Sequence, residues 1–312
     1  MEGLLNPALI LFISGILIGI SLKLQLSDII SKYLGYYLLL ALGLKGGLSL
    51  QENGFTSEVI NVLSLGIFFA LFIPIVSYIY LRKKLNNDDA SALSGTYGSV
   101  SAVTFVTAIT YISSGDQYFD EYMSAVLVVM EFPAIFMALF LVKNTSTKKV
   151  NNFENLKTAF LEVPNIILIS SLLAGFLVNK DSIANLNYFI VTIFDYVLYI
   201  FLFTMGTRVA NRIGELKGKS ASLIGFALTT PLVGSLLALI ASINFELSIG
   251  NATLLMVLTA SASYIAVPAV VKDAIPSANP AVYLGLSLGV TFPFNIIIGI
   301  PLYNQLAIYF LS

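Results

Sequence analysis

Ten apolar runs, each near the length needed to cross a bilayer, alternate with short polar turns along the chain. They fall at 4–22, 27–44, 59–81, 90–112, 123–142, 161–178, 188–207, 221–241, 253–271 and 282–302. A soluble core would break such runs with a polar face every ~10 residues or so. The pattern therefore predicts an all-α polytopic membrane protein of ten transmembrane helices. The first run lacks a positive leading segment and reads as a span, not a cleaved signal. Span four departs from the rest, because eleven of its residues from 90 to 104 (ASALSGTYGSVSAVT) are Gly, Ala, Ser or Thr. A partner stretch, TASASYIAVP, occupies 259–268. Small and hydroxyl residues at membrane depth let backbones approach closely and offer N–H and O–H groups to a bound species.

Composition agrees with the pattern: 57% of the 312 residues are hydrophobic and 11% charged, against about a quarter charged in soluble domains. A net charge of −1 excludes a nucleic-acid partner, which demands a basic face. With no Cys and no His, thiol chemistry, haem ligation, a His-based zinc site and a histidine general base are excluded. Charge also orients the chain. With the N-terminus outside, fourteen of the sixteen Lys and Arg lie in loops on the cytoplasmic side, and only Lys45 and Lys180 lie opposite. The positive-inside rule then predicts a multi-pass plasma-membrane protein in its lipid bilayer, with both termini extracytoplasmic.

The halves correspond. Gly43-Leu44-Lys45 near the end of span two answers Gly206-Thr207-Arg208 in span seven, Ser99-x-Ser101 answers Ser261-x-Ser263, and Glu131-Phe132-Pro133 answers Thr291-Phe292-Pro293, at offsets of 163, 162 and 160. Five spans per half make the repeat inverted. The predicted organisation is a first repeat at 1–142, a cytoplasmic linker at 143–157 and a second repeat at 158–312, with discontinuous helices four and nine crossing at the midplane.

Breaks at the two Ser-x-Ser motifs would set two half-helix N-termini facing each other, an anion site that requires no lysine or arginine. Pro268 suits the first turn of such a half-helix. Candidate substrate contacts are Ser99, Ser101, Ala102, Val103, Thr104, Ser261, Ser263, Tyr264 and Ile265. The alternative is a close helix crossing whose hydroxyls bond back to their own carbonyls. Glu131 lies mid-span, where a carboxylate is costly and marks an ion path. With Thr104, Thr291 and Asn295 it forms a candidate Na+ set, the alternative being a protonated Glu131 bonded within the bundle. Asp195 reads as an ion-pair partner for Lys45. Gly15-x3-Gly19 and Gly285-x3-Gly289 read as packing motifs before association motifs, and a homo-oligomer stays open.

The run 274–285 (AIPSANPAVYLG), SASYIAVPA before it, YGSVSAVT in span four and RIGELK at 212–217 together resemble the sodium-dependent bicarbonate transporter family, the SbtA-like proteins. The resemblance covers essentially the whole chain. It implies two inverted repeats, a core domain from spans three to five and eight to ten, a gate domain from the others, Na+-coupled bicarbonate uptake and a PII-like cytoplasmic regulator. Tyr264 stands where members of the family carry an acidic residue, and Glu131 replaces an aspartate. Beside this reading stand a cation/proton exchanger and a proton-coupled anion transporter using Glu131. An intramembrane enzyme is disfavoured, since no Ser/Lys pair, paired carboxylates or metal-ligand set sits at matched depth. No cofactor is expected beyond Na+ as coupling ion.

Overall fold

The computed structural model describes residues 6–24, 26–143, 157, 161–178, 190, 192–213 and 220–312. The regular elements there are α1 (Pro7–Leu22), α2 (Asp28–Asn53), α3 (Ser57–Leu81), α4 (Asn87–Gly98), α5 (Ala102–Ser114), α6 (Met123–Lys143), α7 (Val163–Leu177), α8 (Phe194–Ile213), α9 (Ala221–Asn244), α10 (Ile249–Ala260), α11 (Ala266–Ala274) and α12 (Pro280–Leu311). Among the described residues, six stretches are helical, long and apolar enough to cross a membrane: α2, α3, α4 with α5, α6, α9 and α12. The protein is an all-helical membrane protein. Its outer helices keep apolar side chains exposed, such as Phe68, Phe72 and Ile79 on α3 and Val233, Leu236 and Ile240 on α9. That is the surface lipid requires and water does not. The linker at 144–156, most of RIGELK and the head of span seven lie outside the described residues.

Most starts carry a local signal. Asn6 accepts from the Ala8 N–H ahead of Pro7, Thr56 from Val59, Asn86 from Asp89 and Ser248 from Asn251, each satisfying a donor that the first turn leaves orphaned. Span two is longer than expected. Lys45-Gly46-Gly47 reads as its end, yet α2 continues to Asn53 and stops at Gly54, whose φ of 66° suits glycine. The glycines there are contact sites: a Cβ on Gly43 or Gly47 would overlap α7 at Ser171 and Leu172, while Gly175 of α7 meets Leu44. Gly15 and Gly206 do the same for α1 and α8, each lying against the other's backbone. Gly15-x3-Gly19 is thus an internal packing motif. Lys45 pairs with Glu121 at 3.5 Å, not with Asp195.

The other helices pack as α3 with α4 and α6, and as α9 with α10 and α12. Every residue of α4 from Asp89 to Gly98 is buried, which explains its small side chains. Gly95 lies against Ala138 of α6 and Gly98 against Pro74 of α3. Many hydroxyls here do bond back along their own helix, as Ser94 to Ala90 O (2.6 Å), Thr96 to Ala92 O (2.8 Å) and Thr107 to Val103 O (2.8 Å).

The heads of the two broken spans are tied across the molecule. Asp89, at the start of α4, accepts from the Asn279 backbone N–H (2.6 Å) ahead of α12 and from the Asn86 amide (2.8 Å). Asn251, at the start of α10, accepts through Oδ1 from the Asp120 backbone N–H (2.9 Å) ahead of α6. Its amide donates to Asp120 Oδ2 (2.8 Å), to the Tyr122 hydroxyl (3.1 Å) and to Glu58 Oε1 (3.3 Å).

Candidate functional site

Both small-residue stretches leave helical geometry. Ser99, Val100 and Ser101 separate α4 from α5, with Ser99 and Ser101 extended. Residues 261–265 separate α10 from α11, and Pro268 falls in the first turn of α11. Unwinding releases backbone groups that must find partners in a dry interior, and the partners identify the site. The Ser99 hydroxyl donates to the Glu131 carboxylate at 3.0 Å. The Thr96 carbonyl accepts instead from the Ser263 N–H, 2.9 Å away in the other break. The Ser101 N–H donates to Ser261 Oγ at 2.9 Å. The two breaks therefore bond directly to each other.

Ser101 is the N-cap of α5. Its hydroxyl accepts from the Thr104 N–H (3.2 Å) and the Thr104 hydroxyl (2.9 Å) and donates to the Tyr264 phenol (3.3 Å). Ala102 and Val103 follow as the first residues of the helix, where N–H groups have no intrahelical acceptor. In the second break the Ser263 hydroxyl accepts from the Val267 N–H at 3.3 Å.

Two cavities meet here. A small chamber of about 40 Å³ is lined by Val100, Ser101, Ala102, Val103, Glu131, Asn165, Ser263, Tyr264 and Ile265, among others. Since one water occupies roughly 10–15 Å³ on this scale, the chamber takes a small ion with a water or two. A vestibule of about 610 Å³ leads away from Ala102, Val103, Tyr264 and Ile265, and among the described residues its wall carries Lys32, Arg208 and Lys272 with one carboxylate, Glu162. Three cations to one anion favour entry of negative charge.

Of the expected site residues, the structure brings Ser101, Ala102, Val103, Glu131, Ser263, Tyr264 and Ile265 around the chamber. Ser99 and Ser261 stand behind it as partners of Glu131 and Ser101. Thr104, Thr291 and Asn295 line neither cavity. The Thr104 hydroxyl is turned to Ser101; Thr291 bonds the Tyr97 hydroxyl (2.6 Å) and the Ala227 carbonyl (2.8 Å). The Asn295 amide donates to the carbonyl of Ala260, the last residue of α10 (2.8 Å), and its oxygen accepts from Tyr303 (2.9 Å). Asn295 thus braces the second break as Glu131 braces the first. Around Pro293, α12 widens into two π-helical segments, Ser287–Thr291 and Asn295–Gly299. Sequence reasoning missed the walls supplied by α2 and α7, Leu39, Pro164, Asn165 and Leu168. Asn165, only 3% exposed, was signalled by an amide directly after a proline in an apolar run.

The family model of the Na+-dependent bicarbonate transporter superfamily matches residues 7–308. The chain belongs to that superfamily. A search of curated proteins finds no match. At family level, then, this is a Na+-dependent bicarbonate transporter of the membrane, and its two breaks can be read as transport machinery.

Proposed function

We propose that the chain is a secondary active transporter that carries bicarbonate, or a similar small anion, into the cell together with Na+, and that it performs no catalysis. The observation that carries this reading is the chamber, where helix-end N–H groups at Ala102 and Val103 and the hydroxyls of Ser101 and Ser263 adjoin one fixed carboxylate, Glu131. Helix N-termini and hydroxyls hold an anion, but an anion and a carboxylate share so small a space only when a cation joins them. Na+ at Glu131 supplies that charge. Among the described residues no group of three or more acidic, His or Cys side chains could hold a metal, so the ion draws on one carboxylate and neutral oxygens. Thr104, Thr291 and Asn295 keep free lone pairs but join its coordination only by turning toward the chamber, which none of them lines.

The architecture we infer is two inverted repeats, 1–142 and 158–312, joined by the linker at 143–157, with ten spans of which the fourth and ninth are broken. Three correspondences support it beyond the sequence offsets. α1 packs along α8 as α2 packs along α7, and Gly43 and Gly206, 163 apart, occupy equivalent crossings. Asp89 and Asn251, 162 apart, make equivalent ties to backbone N–H groups. Each break is braced by the helix that follows in its own repeat, through Glu131 or Asn295. The protein sits in the plasma membrane with both termini outside, and a PII-like regulator would approach from the linker side.

Uptake of labelled bicarbonate into proteoliposomes, with and without an inward Na+ gradient and against an excess of other small anions, tests the substrate. Na+-dependent uptake that only bicarbonate competes away is the expected result. Uptake competed more strongly by another anion would reassign the substrate.

A further inference from the structure

The vestibule and the chamber share six lining residues: Leu39, Ala102, Val103, Pro164, Tyr264 and Ile265. Five of these are aliphatic or proline. Tyr264 alone carries a polar group, and it is 8% exposed with its hydroxyl 3.3 Å from Ser101 Oγ and its ring edge-on to Phe292 at 5.2 Å. It stands in the unwound segment of the second break, not on a helix, so its backbone is not held by a regular ladder. We propose that Tyr264 is the inner partition of the permeation path, a phenol closed across the passage between vestibule and chamber through Ser101 and Phe292, and a determinant of which ions pass.

The chemistry of the position fits a small anion. Lys32, Arg208 and Lys272 draw negative charge into the vestibule. A phenol is neutral and, once released from Ser101, can donate its proton to the passing anion in a hydrogen bond. The hydroxyl it leaves behind, Ser101, caps the helix whose first residues, Ala102 and Val103, line the chamber. Opening the partition and freeing one donor of the anion site are therefore the same movement. The proposal rests on the reading that the path runs through the chamber, but its test uses no substrate.

The Cys-free sequence permits single reporters. Leu127→Cys places a thiol on the chamber wall alone, and Leu284→Cys places one on the vestibule wall alone. Sealed proteoliposomes are exposed to an impermeant methanethiosulfonate reagent from each side, and the vestibule thiol identifies the side on which the vestibule opens. From that side the chamber thiol should react at least about tenfold more slowly, as a mostly closed partition requires. Tyr264→Ala should bring the two rates together, while Tyr264→Phe, which keeps the ring and is the milder change, should leave the chamber thiol slow. Equal rates with Tyr264 in place, an unchanged chamber rate in Tyr264→Ala, or a fast chamber thiol in Tyr264→Phe would each overturn the proposal. Should Leu127→Cys not yield folded protein, Leu168→Cys reports on the same chamber.

Discussion

A hydroxyl buried in this membrane interior acts according to how many groups depend on it. The Ser101 hydroxyl serves the Thr104 N–H, the Thr104 hydroxyl and the Tyr264 phenol, whereas the Ser263 hydroxyl serves one N–H at the long distance of 3.3 Å. Losing one neutral hydrogen bond costs about 1 kcal/mol, or roughly fivefold in affinity. Ser263→Ala should raise the bicarbonate KM by about that factor. Ser101→Ala removes an N-cap as well, a further ~1 kcal/mol of helix stability, and should raise KM at least as much and lower the thermal midpoint besides. Ala102→Leu fills the space in front of the helix N–H groups and should abolish uptake in protein that still elutes as one species in detergent. If Ala102→Leu transports normally, the anion binds elsewhere. The Ser-x-Ser motifs were legible because hydroxyls and glycines at membrane depth are unusual in lipid-facing helices. Tyr264 was read as a substrate contact, but its bond to Ser101 and its place on both cavity walls were not legible, since an aromatic in an apolar run is what ordinary packing also produces.

The breaks are held in place by the elements around them, and the two ties at the heads of α4 and α10 differ in charge. Asp89 is an anion that accepts from an amide and a backbone N–H, while Asn251 is a neutral amide facing two carboxylates, Glu58 and Asp120. Exchanging the two residue types should therefore be tolerated at one end only. Asp89→Asn keeps an acceptor for Asn279 and loses the Asn86 bond, a cost of about 1 kcal/mol. Asn251→Asp removes both donors and adds a third negative charge in a buried place, a cost of about 3 kcal/mol or more. Thermal unfolding in detergent should show a small drop for the first variant and a large one for the second; equal drops would mean that the outer tie is weak. Element boundaries were less legible than element existence. Lys45-Gly46-Gly47 has the composition of a helix end, but the lysine reaches Glu121 and the glycines admit neighbouring backbone, facts that depend on helices distant in sequence. For the same reason the sequence grouped Thr291 and Asn295 with Glu131, because repeat correspondence shows equivalence and not adjacency. Asn295 holds the end of α10 in its own half, while Thr291 links Ala227 to Tyr97 of α4.

At the scale of the whole molecule, the account is an anion path across a bilayer whose inner end is basic. Fourteen of the sixteen cationic side chains on one side predict the orientation. Single cysteines test it cleanly: Ser114→Cys, at the exposed end of α5, should react with an impermeant reagent in intact cells, and Ser146→Cys should react only after permeabilisation. The reverse pattern would overturn the orientation. The central claim is that Glu131 joins the two fluxes through a shared ion. Coupling is reciprocal, so if Na+ favours bicarbonate binding, bicarbonate must favour Na+ binding equally. The decisive measurement follows labelled Na+ and labelled bicarbonate together in the same proteoliposomes, for the native chain and for Glu131→Gln. Each ion should accelerate entry of the other at a fixed ratio, protons should raise the Na+ concentration required without replacing Na+, and Glu131→Gln should lose both the mutual stimulation and most of the uptake. Full-rate bicarbonate entry without Na+ under an inward proton gradient would contradict the account and make Glu131 a proton carrier.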